Sequence, residues 1–153
     1  MAISSLLTTV TDAIENISIS GVTVKDYDGI VTNWQSTPNV LYPNPEGFLT
    51  GFQPPEYQSF LHGANAQVDF SYTLNYRFLG TQLGNLGNFS TAYKAVVDKY
   101  LLILAAIVTN HSAADGKADI EFGAVTFGPM LDPAGNSYHG ADISINVTEM
   151  QNT

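Results

Sequence analysis

Three histidines, His62, His111 and His139, are the residues of this chain whose type best suits catalysis or metal binding. Each stands alone, without the His-x3-His or Glu-x2-His spacing that places two metal ligands on one helix face. His139 lies near Asp142, but the chain has no Gly-x-Ser-x-Gly segment that would present a serine as a nucleophile. The sequence therefore indicates surface histidines, with neither a metal site nor a hydrolytic triad.

Two further segments resemble ligand-binding loops only in part. Residues 115–119, DGKAD, lack the aspartate order and the closing glutamate of a calcium loop. A glycine-rich turn lacks the Lys-Ser/Thr of a phosphate-binding loop, although its glycines recur at short intervals: Gly80, Gly84 and Gly87. We therefore expect no enzyme activity and no cofactor.

Apolar periodicity predicts the elements that would position any site. Spacings of 3 and 4 predict helices over 3–17 and from about 88 to 110, and the second half of the later helix is apolar nearly all round. Strict alternation over 67–78 predicts a long strand with one buried and one wet face. Further strands are predicted at 19–27, 38–42, 118–128 and 138–149, the last two pairing as an antiparallel hairpin.

Helices and strands do not alternate in this order, which disfavours a parallel sheet. The natural packing is a single α+β domain over 1–153, with a mostly antiparallel β-sheet and two helices packed on one face.

Residues 43–66, PNPEGFLTGFQPPEYQSFLHGANA, form a long loop or arm in the middle of this order. Four prolines and three glycines interrupt any regular element, yet the stretch is rich in aromatic residues. A connection of this length is usually functional or disordered, and aromatic residues argue against disorder. Two interpretations remain open: a loop folded back on its own core, and an arm that docks on a neighbouring subunit.

Composition narrows the class of partner. The chain has 153 residues, no cysteine and a formal net charge of −9, and its five basic residues are scattered. Such a chain repels phosphate, so we expect no tight binding of nucleic acid. The longest apolar run has nine residues, Tyr100 to Val108, whereas a membrane-spanning helix needs about 20. The chain is expected to be soluble and to have no membrane partner.

The order and sequence character of these elements resemble those of the tail terminator, or tail completion, proteins of long-tailed bacteriophages. The resemblance covers nearly the whole chain and rests on six segments in order: SSLLTTVTDAIENI, VTVKDYD, PNVLYP, QVDFSYTLNYRFLG, NFSTAYKAVVDKYLLILAAI and YHGADISINVTE. It is a likeness of architecture, so no individual functional residue is transferred from the family.

The resemblance implies a structural virion protein of the tail or neck, assembled in the host cytoplasm. It would form a ring with other copies of itself, usually six, that caps the tail tube and joins it to the head connector or stopper protein. DNA would only pass through the channel, and an acidic wall would keep it from sticking.

A closed ring needs two different patches on each subunit. The aromatic stretch and the apolar second helix are the candidates, which gives six candidate subunit-interface residues: Phe48, Phe52, Tyr57, Phe60, Leu102 and Ile103. One alternative is a tail tube or head–tail connector subunit. Another is a small-ligand binding module, with a pocket between sheet and helices lined by Tyr72, Tyr76 and Phe78.

Overall fold

The structure is a computed structural model, and it describes residues 6–26, 34–53, 56–57, 67–83 and 89–152. Two α-helices lie in these ranges, α1 (Leu7–Glu15) and α2 (Phe89–Thr109). Helix α1 buries Val10 and Ile14 on the stripe that its apolar spacing predicts. The bounds of α2 agree with the prediction to within one residue at each end.

Eight strands account for the rest of the regular structure in the described part of the chain. Three are long: β5 (Gln67–Gln82), β7 (Ala118–Leu131) and β8 (Ser137–Asn152). The other strands are short: β1 (Thr23–Val24), β2 (Val40–Pro43), β3 (Leu49–Thr50), β4 (Glu56–Tyr57) and β6 (Ser112–Ala113). A 3₁₀ turn, Ala114–Gly116, joins β6 to β7.

These strands form one sheet in the order β1-β2-β5-β8-β7-β6, and β3 and β4 also pair with β5. All pairings are antiparallel except β1 with β2. The predicted β7–β8 hairpin is present, and the predicted α+β class with a mostly antiparallel sheet is confirmed.

Both helices pack on the same face of this sheet, which we call the inner face. The inward residues of β5 belong to one core cluster with residues of α1 and α2: Phe70, Tyr72, Leu74, Tyr76, Phe78, Val10, Ile14, Val96, Ile103 and Ile107. The alternation of 67–78 therefore predicted the buried face correctly, because residues two apart on a strand point to the same side. The polar residues between them lie on the outer face.

At one end of the sheet, buried side chains also cover the outer face. Val40, Tyr42, Leu79 and Tyr138 are buried there in a second cluster, against which Trp34 and Met130 pack. Leu79 joins this cluster just before a β-bulge between Leu79 and Thr81. Phe78 and Leu79 are consecutive and both buried, so the strict alternation ends here and both faces of the sheet are covered.

Two predictions about the first half of the chain need correction. The strand predicted over 19–27 is reduced to β1, because Gly21 has a φ of 72° and the chain turns so that Ile19 bridges to Val22. The 43–66 stretch, in which prolines and glycines were expected to interrupt any regular element, contains β3 and β4, which both pair with β5, so its described part follows the folded-back interpretation.

A glycine allows the two central strands to approach each other at the bulge. A Cβ on Gly140 would collide with the carbonyl oxygen of Phe78, whereas a Cβ on Gly128 has no atom within 4 Å. The two glycines are partners across β7 and β8, so they provide a matched pair.

We expect Gly140→Ala to lower the free energy of unfolding by about 3 kcal/mol, because a backbone clash cannot be relieved by a side-chain rotation. Gly128→Ala should change it by less than about 0.5 kcal/mol. Urea denaturation of both variants measures the difference, and equal effects would show that the close approach is not real.

Candidate subunit interface

The six candidate residues fall into two groups in the structure. Phe48 and Phe52 lie on the segment beside β5, while Leu102 and Ile103 are neighbours on α2. Tyr57 lies in β4, where its backbone pairs with Val68, and its side chain is outside the described residues. Phe60 is also outside the described residues.

Phe48 and Phe52 both pack against aromatic rings of β5 in their own chain. Phe48 is half-buried and meets the ring of Tyr76 edge-on at 5.7 Å. Phe52 stacks on Phe70 and Tyr72, with ring centroids 5.7 and 5.6 Å apart, and still leaves 54% of its surface exposed. This contact agrees with the folded-back interpretation of the loop. The free side of Phe52 remains open to a neighbour.

Leu102 and Ile103 lie about 100° apart around the helix axis and differ in burial. Ile103 is fully buried in the core, so its position offers no surface to another subunit. Leu102 is 43% exposed, and it belongs to a group of exposed apolar residues that we call the α2 stripe: Leu101, Leu102, Ala105 and Val108.

The α2 stripe arises from helix geometry. Its members recur at intervals of 3 and 4, while Ile103 and Ile107 face the sheet from the other side of the helix. Leu101 is 52% exposed and Val108 is 61% exposed. The solvent side of a surface helix is normally polar. One side of this apolar helix is therefore covered by its own sheet, and the other is left uncovered by the described residues.

The outer face of the sheet carries a ladder of polar contacts instead. Arg77 donates two hydrogen bonds to the carboxylate of Asp142, at 2.8 and 3.2 Å, and a third to the carbonyl of Leu131 at 3.1 Å. Asn75 joins this ladder one pair further along, donating to Thr50 and accepting from Ser144. These side chains form hydrogen bonds with one another and so link the neighbouring strands β3, β5 and β8.

A cleft of about 750 Å³ opens on this face between the segment after β2 and the β7–β8 hairpin. Tyr42, Arg77, Met130 and Asp142 help to line it. Burial raises the pKa of Tyr42 to about 12, although the nearby Arg77 acts to lower it. The phenol therefore stays protonated at neutral pH and is not a nucleophile, and Arg77 is already paired.

Asp132 holds the wall of this cleft together. Its carboxylate, 4% exposed, accepts hydrogen bonds from the backbone of Ser36 at 2.9 Å and of Asn136 at 2.7 Å. Tyr138 donates to the carbonyl of Ser36 at 2.9 Å and closes the same junction. Burial acts to raise the pKa of Asp132, but the hydrogen bonds from Ser36 and Asn136 outweigh it and hold the pKa below its usual value.

A lowered pKa in the folded state stabilises the fold at neutral pH and is lost as pH falls. The contribution of Asp132 is complete above the pKa of an unfolded aspartate, about 3.9, and disappears as pH drops through the folded value. We expect Asp132→Asn to cost about 2 kcal/mol at pH 7 and clearly less at pH 3. Urea denaturation at both pH values measures this, with the exposed Asp115→Asn as control. A cost independent of pH would contradict the assignment.

The residues proposed to line a ligand pocket between sheet and helices are ordinary core. Tyr72, Tyr76 and Phe78 are 2%, 1% and 0% exposed. His111 is exposed and lies 3.0 Å from Asp119, and His62 is outside the described residues. Within the described ranges, no three residues of a metal-binding type come together, and no helix is long and apolar enough to cross a membrane.

Besides Asp132, a second buried acid was not predicted from the sequence. Glu149 is fully buried at the inner face, and its carboxyl group accepts from the backbone of Leu6 at 2.8 Å and from the hydroxyl of Tyr72 at 2.5 Å. The signal was present, because Glu149 continues the inward series of the last strand: Ala141, Ile143, Ile145 and Val147.

Comparison with known proteins adds no assignment to this geometry. No protein-family model matches the chain, and no curated protein is significantly similar to it in sequence.

Proposed function

We propose that this chain is a structural subunit that assembles with copies of itself into a ring, in the manner of the tail terminator proteins that it resembles. The observation that carries the proposal is the α2 stripe. It places three large aliphatic side chains, each 43–61% exposed, on one side of a single helix. Contiguous exposed apolar surface marks a place where another protein binds.

The second patch that a ring requires is the segment around Phe52. Phe52 presents half of its ring to solvent, and the nearby Leu49 is 42% exposed. The stripe and this segment are different surfaces, as a head-to-tail contact demands. Each subunit would bury its α2 stripe against one neighbour and its Phe52 segment against the other.

The net charge of −9 supports a ring through which DNA passes without binding. Under this proposal the ring would sit on the tail tube protein and meet the head connector or stopper protein. The virion tail or neck would be its location.

Electron microscopy of the concentrated chain tests the proposal against the alternative of a tail tube subunit. A terminator should form closed rings of uniform size that do not stack further. Open-ended tubes would favour the tube subunit, and dispersed single chains at every concentration would contradict self-assembly.

The second candidate, a small-ligand binding module, is favoured by the outer-face cleft, because its volume lies in the range of small-molecule sites. The cleft is not in the position that the sequence predicted. Native mass spectrometry of the purified chain decides this point: a constant added mass that disappears on denaturation would support a ligand, and the bare chain mass would count against it.

A further inference from the structure

Along most of its length, strand β7 has one edge that no other strand in the described part of the chain pairs with. β8 pairs with one side of β7, while on the other side β6 pairs only with Ala118 and Asp119. The amide of Ile120 still donates to the carbonyl of His111, at 2.7 Å. From there to Leu131, no other described strand pairs with β7.

The register shows which backbone groups face outward on this edge. The amide of Ile120 points away from β8, so by alternation Phe122 does as well. The bulge between Phe122 and Val125 shifts the phase by one residue. Beyond it, the outward residues are Val125, Phe127 and Pro129. Proline lacks an amide hydrogen, and its position on the unpaired side removes no hydrogen bond between β7 and β8.

This edge carries few of the charges that monomeric proteins place on exposed strands to prevent pairing, although a β-bulge and Pro129 interrupt it. Between Glu121 and Leu131 the sequence EFGAVTFGPML contains one acidic residue, one proline and no basic residue. A neutral edge also avoids the repulsion that two chains of net charge −9 would otherwise feel.

The opposite edge of the sheet carries β3, whose direction would allow antiparallel pairing with β7 of another copy. Beside β5, the carbonyl of Phe48 accepts from Asn75 and the amide of Gln53 donates to Ser71. Leu49 lies between them at an alternate position, so its backbone groups face outward. β3 runs antiparallel to β5, and β7 runs parallel to β5 through two antiparallel steps. When one sheet continues into the next with the same face inward, β7 therefore meets β3 as an antiparallel partner.

We propose that the β7 edge of one copy, from Phe122 to Pro129, pairs antiparallel with segment 48–53 of the next copy. The sheet would then continue from subunit to subunit around the ring. This inference rests on the proposed self-assembly and names the backbone contact that joins the subunits. The partner of the β7 edge is a second copy of this chain, because the chain supplies both strands. The two strands run in opposite directions and lie at opposite edges of one sheet.

Engineered disulfides test this pairing, because the chain has no cysteine of its own. Thr50 and Thr126 are exposed and both lie on the outer face, as partners of Thr73 and Asp142. Within one chain they are separated by three strand spacings, about 14 Å. A disulfide requires Cα atoms within about 7 Å, so the two positions can link only between chains.

Oxidation of the assembled double variant Thr50→Cys/Thr126→Cys is expected to shift most chains into a ladder of covalent multimers on a non-reducing gel. Each single variant should remain at the monomer mass of 16.5 kDa. The double variant Thr126→Cys/Thr148→Cys is the control for random collision. Thr148 is exposed on the same face, but it lies on the interior strand β8.

The outcomes separate this inference from the proposed function. A double variant that assembles by light scattering but stays monomeric on the gel would overturn the edge pairing and leave self-assembly standing. Dimers from Thr126→Cys alone would show that two β7 edges pair with each other, which also overturns it. A chain that never assembles would overturn both.

Discussion

Leu102→Asp is expected to weaken self-assembly strongly while the chain stays folded. Leu102 is 43% exposed in the single chain, so an aspartate can remain in water there and should cost the fold less than about 1 kcal/mol. In an assembly that covers the α2 stripe, the same aspartate would be buried without a partner. A hot-spot residue at the centre of an interface contributes about 2 kcal/mol or more, and a loss of that size weakens association roughly 30-fold.

The control is Thr91→Asp, which introduces the same charge into the same helix. Thr91 is exposed in the first turn of α2, where a negative charge favours the helix dipole, and it lies about 16 Å along the axis from Leu102. Light scattering after size-exclusion chromatography measures both variants, and circular dichroism confirms that they are folded. Unchanged assembly of folded Leu102→Asp would remove the α2 stripe from the interface.

Glu149→Ala is expected to lower the free energy of unfolding by about 3 kcal/mol, as much as Gly140→Ala. The buried carboxyl group of Glu149 holds the hydroxyl of Tyr72 and the amide of Leu6, which begins helix α1. Removing it leaves the buried hydroxyl of Tyr72 and the partly buried amide of Leu6 without these hydrogen bonds, at about 1–3 kcal/mol each, and opens a cavity. Helix α1 should loosen first, because Leu6 has no side-chain cap of its own.

Glu121→Ala provides the matched control, since it removes the same side chain from an exposed position on β7. It should change the free energy of unfolding by less than about 0.5 kcal/mol. In a Tyr72→Phe background the loss from Glu149→Ala should shrink, because the hydroxyl donor of Tyr72 is already gone. Full additivity of the two substitutions would mean that the Tyr72 hydrogen bond contributes nothing.

The long elements could be predicted from the sequence because each carries its own periodic signal. Twelve alternating residues predicted β5, and apolar spacing predicted α2, since burial of one face requires those patterns. β3 and β4 could not be predicted in the same way. Each has two residues in a stretch full of proline and glycine, and it is extended because β5 offers it a partner edge.

The candidate site was predictable only in outline. A helix that is apolar nearly all round does not reveal which side its own sheet will cover, and so Leu102 and Ile103 were chosen together. The structure separates them, with one exposed and the other buried. The open edge of β7 was beyond sequence reasoning, because strand order is set by pairings between residues far apart in the chain.

The mass of the chain in solution, measured by light scattering across a concentration series, tests the central claim of self-assembly most directly. We expect a discrete ring-sized species that replaces the 16.5 kDa chain as concentration rises and then grows no further. A mass of one chain at every concentration, with the α2 stripe left open to solvent, would contradict it.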